Sequence, residues 1–207
     1  MTIITRSCCL AVLAILLSAC GGGGDPATGD AAARFSLLGD GITARELLPE
    51  ALAAARAWSA DAQLVAVSTR FASGPRQTFW FYDLQSPSLQ RCTRLRVQAD
   101  GEVDNVGTGG ACTLMPPLPA DFVDSTVAWQ AAREAGFQPG GAVHLALHQQ
   151  REGVAGAPRA CWLLWSRQDG DGPGAPLHGW CVDPLGGAFV GELADGPAQP
   201  PSGQDRH

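Results

Sequence analysis

The side chains best suited to chemistry in this chain are its cysteines and histidines. Of seven cysteines, Cys8, Cys9 and Cys20 lie in the N-terminal apolar segment, which leaves Cys92, Cys112, Cys161 and Cys181 for the remainder. The separations 92 to 112 and 161 to 181 are both 20 residues. The second interval is centred on the turn-forming run Asp169-Gly170-Asp171-Gly172-Pro173-Gly174, and the first on the neighbourhood of Asp100-Gly101. Each pair is therefore expected to face across a hairpin. No Cys-x-x-Cys occurs, so the spacing predicts two structural disulfides, Cys92–Cys112 and Cys161–Cys181, rather than a metal or redox centre.

His144 and His148 fall on the same side of a strand, with His178 the one other histidine inside the expected fold. A zinc site needs at least three protein ligands at workable spacing, and no third is visible, so neither a metal nor another cofactor is expected. Asp169 and Asp171 lack the acidic series and closing Glu of a calcium loop. Gly-x-Ser-x-Gly and Ser-x-x-Lys are absent, and all 14 basic residues are Arg, which removes lysine Schiff bases and Ser–Lys dyads. No catalytic residue can be named. A formal charge of -6 gives no electrostatic reason to approach nucleic acid.

The elements that must position these residues occur in two similar series. Thr43-x-x-Glu46 is a capping box ahead of Leu48, Ala51, Leu52, Ala55 and Trp58, which predicts a helix or broken helix over about 43 to 59. Asp124 or Ser125 can cap a second helix with Val127, Ala128, Ala131, Ala132 and Ala135 along one face and Gly136 as its stop. Strand-like runs follow the first helix at 64–69, 78–84, 92–98 and 102–106, and the second at 143–149, 160–166, 178–183 and 188–192. The Pro-rich stretch Met115 to Pro119 lies between. The fold class is α+β: two tandem helix-plus-antiparallel-sheet repeats, each with one disulfide, since units this small are marginal alone.

Alternation puts Trp80 and Tyr82 on one face of their strand and Phe79 and Phe81 on the other. A hairpin centred on 171 sets Trp162 opposite Trp180, on the face away from the Cys161–Cys181 bridge. One sheet face must cover the helix. The other is either an exposed aromatic surface or a second buried one, and Trp80, Tyr82, Trp162 and Trp180 are the candidate binding residues, because Trp and Tyr commonly anchor interfaces.

Residues 1 to 20 carry one charge, Arg6, then the apolar run Cys8 to Leu17, which is too short to span a bilayer and reads as an export signal. Its end, Leu17-Ser18-Ala19-Cys20, resembles the lipobox of bacterial lipoproteins. That resemblance implies cleavage before Cys20, a diacylglycerol thioether on its sulfur, two or three acyl chains such as palmitate in all, and a stable bilayer anchor. Gly21 in place of Asp at the next position resembles the sorting pattern for the outer membrane. The division expected is a signal peptide at 1–19, a flexible tether at 20–38, repeat one at 39–106, a linker at 107–123, repeat two at 124–193 and a disordered tail at 194–207.

Val182-Asp183-Pro184-Leu185-Gly186-Gly187-Ala188-Phe189-Val190 resembles the closing hairpin of PepSY domains, and Val97 to Val103 is a looser version of it. PepSY-like units also place an Ala-rich helix ahead of the sheet. The tandem architecture, export and one disulfide per repeat look like beta-lactamase inhibitory protein, whose joined sheets form a protein-binding face. These resemblances imply a non-catalytic, periplasm-facing lipoprotein that binds or inhibits an envelope or periplasmic protein. The alternatives are an assembly lipoprotein that recognises through its loops and an unrecognised hydrolase.

Overall fold

The computed structural model describes residues 41–107, 109–149, 160–167 and 175–193. The export segment with Cys20, the tether at 20–38, the turn at 169–174 and the tail at 194–207 lie outside the described residues.

The Thr43/Glu46 box forms as the sequence predicts: Thr43 N–H donates to Glu46 Oε2 at 2.7 Å. It closes a turn over 44–47, after which helix α1 runs Leu48–Trp58 with Pro49 in its first turn, where a missing N–H costs nothing. Leu48, Ala51 and Ala55 form its buried face. Helix α2 runs Ser125–Glu134, with Asp124 as N-cap accepting from Ser125 N–H. It ends in a Schellman arrangement, in which Gly136 N–H bonds Arg133 O and Phe137 N–H bonds Ala132 O. Its buried face is Ser125, Ala128 and Ala132, whereas Val127 is 44% exposed and points away from the core.

Strands β1 (Gln63–Ala72), β2 (Phe79–Ser86), β3 (Arg91–Gln98) and β4 (Val103–Asn105) follow α1, and β5 (Val143–Gln149), β6 (Ala160–Ser166), β7 (His178–Val182) and β8 (Phe189–Leu193) follow α2. In place of two small sheets there is one eight-stranded antiparallel sheet, ordered β4-β3-β2-β1-β5-β6-β7-β8. The join is the β1–β5 pair, where Val67 faces Leu147 and Ser68 faces Ala146. Pairing there leaves no open edge at the middle of the molecule, and the two edges are β4 and β8.

Both helices lie on one face of the sheet. The core between the layers includes Leu47, Ala51 and Ala55 from the α1 region, Ala128 and Ala132 from α2, and Leu84, Leu95, Val97, Leu145, Leu147 and Leu164 from the strands. The segment between the halves is held rather than loose. Gln85 brackets Met115, accepting its N–H at 2.8 Å and donating to its carbonyl at 2.6 Å, and Leu118 N–H bonds Leu64 O.

Both disulfides form, Cys92–Cys112 and Cys161–Cys181, with Cα separations of 5.7 and 5.4 Å. Their registers differ from the expected ones. Cys181 sits opposite Leu163 and Trp180 opposite Leu164, so Cys161–Cys181 and Trp162–Trp180 are diagonal pairs. In the first half the β3–β4 ladder pairs Arg96 with Asp104, and the chain reaches Cys112 through a separate bridge between Arg91 and Ala111. A shift of two residues keeps every side chain on its face, which is why the pairing holds while the register moves.

Candidate functional site

The four aromatics singled out from the sequence are core, not surface. Trp80, Tyr82 and Trp162 are fully buried and Trp180 is 3% exposed. The helices cover the face on which these rings lie, so the expected aromatic recognition surface at Trp80, Tyr82, Trp162 and Trp180 is corrected to an interlayer cluster. Trp80 and Trp162 meet edge to face at 6.2 Å, Phe122 closes on Trp162 at 6.1 Å, and Phe137 lies 5.0 Å from Trp180. Such pairs add about 0.5–1.5 kcal/mol beyond the burial of their area.

The polar ends of these rings bind the chain entering each helix. Trp80 Nε1 donates to Ile42 O at 3.0 Å and Tyr82 Oη to Ala44 O at 2.6 Å, while Trp162 Nε1 donates to Val123 O at 2.8 Å. Trp180 Nε1 has no hydrogen-bond partner among the described residues. Burial first, then the nearby carboxylates of Asp124 and Glu50, pushes the Tyr82 phenol well above its ordinary range. This hydroxyl is a structural donor, not an acid at any physiological pH.

The opposite face, across which no described helix lies, holds the candidate site. Phe79 and Phe81 are half-buried there and touch edge to face at 5.3 Å. Arg94 lies 5.7 Å from the Phe81 ring centre and is held by Asp83, with Nη2 2.8 Å from Oδ2. On the neighbouring row Arg96 bonds Asp104, with Nε 3.0 Å from Oδ2. Across the sheet from Phe81 come the small residues Ser68 and Ala146, then Leu163. The second half of this face is apolar and buried: Cys161, Leu163, Trp165 and Cys181 cluster with Leu177, Val190 and Leu193 packed against them. Gly179 makes room for it, since a Cβ there would stand 2.5 Å from the Trp165 ring.

His144 and His148 share this helix-free face, paired across the ladder with Trp165 and Cys161. His178 pairs with Ser166 on the helix side by strand alternation, so the three histidines do not converge. Among the described residues no cluster of three or more His, Cys, Asp or Glu is placed to hold a metal. Burial, followed by the charges of Arg70, His148 and Arg94, pushes the His144 imidazole below its ordinary value. At neutral pH the uncharged imidazole is therefore favoured, with the guanidinium charges of Arg70 and Arg94 acting on it.

At the far end of the sheet, Asp61 accepts from Ser86 Oγ at 2.6 Å, Ser59 Oγ at 2.7 Å and Ser88 N–H at 2.7 Å. The Ser86 and Ser59 hydroxyls, then the Ser88 amide, hold its carboxyl far below the usual carboxylate range. The serines have no histidine in this network, so it ties the α1–β1 turn to the β2–β3 turn and does not activate a nucleophile.

No protein-family model matches the chain, and no curated protein matches it in sequence. Among solved structures, a provisionally assigned lipoprotein of Clostridium difficile 630 superposes with a TM-score of 0.43 at 11% identity, over 69% of this chain and 89% of that one. That likeness is too slight to transfer a fold or a function. Among the described residues no helix is long and apolar enough to cross a membrane.

The residues that alternation placed opposite the chosen aromatics, Phe79 and Phe81, are thus half-buried aromatics on the face that no described helix covers. The signal was in the sequence. What it lacked was the choice of which face the helices cover.

Proposed function

We propose that this chain is a lipid-anchored, periplasm-facing envelope protein that works by binding another protein rather than by catalysis, using the helix-free face around Phe79 and Phe81. The observation that carries the reading is that face itself: half-buried aromatics, an arginine over a ring, and ion-paired arginines, with no described helix lying across them. Aromatic and Arg side chains are the residue types that most often supply interface hot spots. The anchor rests on the lipobox-like Leu17-Ser18-Ala19-Cys20, and Gly21 favours an outer-membrane destination.

The two halves read as copies of one PepSY-like unit. Each runs helix then four strands, the strand order mirrors about the β1–β5 join, and Trp80 and Trp162 make matching bonds to the chain ahead of each helix. The matching bonds support duplication more than topology does, since they repeat a residue type and a role together.

The test is photo-crosslinking in cells from positions 79 and 81, with position 130 on the outer side of α2 as control. One shared protein captured from 79 and 81 but not from 130, and lost on Phe81→Glu with the two disulfides intact, is the expected result. Equal capture from all three positions, or none from 79 and 81, overturns the reading.

A further inference from the structure

Strand β1 ends in a bulge. Thr69 pairs with Leu145 and Ala72 with Val143, so Arg70 and Phe71 together oppose His144. Phe71 sits there at φ 60, the left-handed region, and is 81% exposed. For a bulky side chain this backbone is an outlier, costing about 1–2 kcal/mol, and bulges that need it usually take glycine. A phenyl ring exposed to this degree recovers none of that cost inside the fold.

The same end of the molecule is where the chain from the anchor enters. Residue 41 is the first described, and Gly41 O accepts from Arg76 Nε at 2.9 Å while Ile42 bridges to Gln77. Arg76 and Gln77 belong to the β1–β2 connection, which begins directly after Phe71 and Ala72. Residues 20–40 span at most about 70 Å when fully extended, so lipid on Cys20 would keep this end within that distance of a bilayer, with the tether attached on its side of the sheet. The described surroundings of Phe71 suit such a surface. Exposed Ser73 lies two residues on, exposed Gly140, Gly141 and Ala142 lead into the neighbouring strand, and exposed Arg70 has no ion-pair partner among the described residues.

We infer that Phe71, with Arg70 beside it, is a membrane contact: the ring enters the headgroup region and the guanidinium meets lipid phosphate. The inference rests on the lipid-anchor reading. Aromatic rings favour the membrane–water interface, and a basic residue near an anionic surface adds attraction. Because the anchor already supplies proximity, one ring and one charge suffice to orient the protein.

The experiment uses the full chain purified with its anchor, its Cys20 acylation verified by intact mass, and reconstituted into vesicles of phosphatidylethanolamine and phosphatidylglycerol. A benzophenone side chain at position 71 is expected to yield lipid adducts. At position 89, an exposed leucine in the turn at the opposite end of the sheet, it yields none. Arg70→Gln lowers the adduct yield from 71 roughly fivefold, and Phe71→Gly, which suits the left-handed backbone, keeps the fold while losing protection of Arg70 and Ala72 amides on vesicles. Lipid on Cys20 with no adduct from 71, or equal adducts from 71 and 89, overturns the contact and leaves the anchor standing. An unacylated Cys20 overturns both. Adducts from 71 to a protein in cells, without lipid adducts in vesicles, would make Phe71 a protein anchor instead.

Discussion

Thr43 Oγ1 donates to Asp124 Oδ2 at 2.5 Å, joining the approach to one helix to the N-cap of the other. The same carboxylate accepts from Arg45 N–H at 3.1 Å and Ser125 N–H at 2.7 Å. Ser125 Oγ accepts from Ala44 N–H at 3.3 Å and donates to Pro75 O at 2.8 Å. Two helix beginnings and the β1–β2 connection thus meet at Asp124 and its neighbour Ser125. Ile42 and Val123, whose carbonyls the Trp80 and Trp162 indoles bind, directly precede Thr43 and Asp124 in sequence. Replacing Asp124 by Ala removes a cap and leaves the hydroxyl of buried Thr43 without its acceptor. The sum is a loss of about 2–4 kcal/mol, read as a lower urea midpoint with an unchanged slope. Asp124→Asn, which keeps an acceptor, should lose less than half as much; equal losses would show that the cap is not what matters.

The tryptophans allow an internal comparison. Trp162→Phe breaks the bond to Val123 O and strands that carbonyl, whereas Trp180→Phe removes an indole N–H that has no partner among the described residues. Both lose similar ring area. Trp180→Phe is therefore expected to be better tolerated by about 1–3 kcal/mol, measured by chemical denaturation of the two variants side by side. The reverse order would mean that the Trp180 donor is satisfied in solution.

Much of this fold was legible because alternation, turn residues and cysteine spacing are local signals. The strands at 143–149 and 160–166 start and stop where the sequence places them, and the paired 20-residue intervals point to the disulfides that form. The choice between faces was not legible. Alternation fixes that Trp80 and Phe79 oppose each other, but only the packing of α1 and α2 decides which of them is buried. Register was likewise beyond reach, since a disulfide bridges diagonal neighbours as readily as direct ones and the hairpin centre alone cannot tell them apart. Nor does composition announce Phe71: a left-handed phenylalanine is a property of the β1–β5 bulge, formed by residues far apart in sequence.

A close approach gives a third test. Gly187 has φ +71, and a Cβ on it would stand 2.7 Å from Val127 Cγ1 on the exposed side of α2. Gly187→Ala should cost about 1–3 kcal/mol, part from the backbone and part from the clash. Val127→Ala in the same chain should restore the clash share only. Thermal unfolding of the single and double variants separates the two, and full additivity would deny that these residues touch.

The disulfides close loops of equal length, 20 residues each, so chain entropy assigns each about 3 kcal/mol. Their surroundings differ. Cys161 and Cys181 are 1% and 0% exposed inside an apolar cluster with Leu163 and Trp165, whereas Cys92 is half-buried near the sheet edge. Replacing both members by Ser should therefore cost more at 161 and 181 than at 92 and 112, because two hydroxyls are then buried without assured partners. Replacement by Ala should narrow the gap, and an unchanged gap in urea midpoints would place the difference in the unfolded chains.

Two of the described groups, His144 and Asp61, make stability fall as pH drops, in different windows. His144 is pushed down by burial first and by Arg70, His148 and Arg94 next, so the folded state resists a proton that the unfolded chain accepts. Stability falls as pH drops through the ordinary histidine range, near 6.5, and levels off below the folded value. His144→Gln should flatten the curve between pH 7 and pH 5. Asp61 is held far below the carboxylate range by the Ser86 and Ser59 hydroxyls and the Ser88 amide. Its contribution is complete above the unfolded carboxylate range, near 4, and is lost only as pH falls below it. Asp61→Asn should then lower the melting temperature at pH 7 and converge on the parent protein toward pH 3. Melting curves of the two variants across this range resolve the windows, and a gap for Asp61→Asn that persists undiminished at pH 3 would show that its charge is not what ties the two turns together.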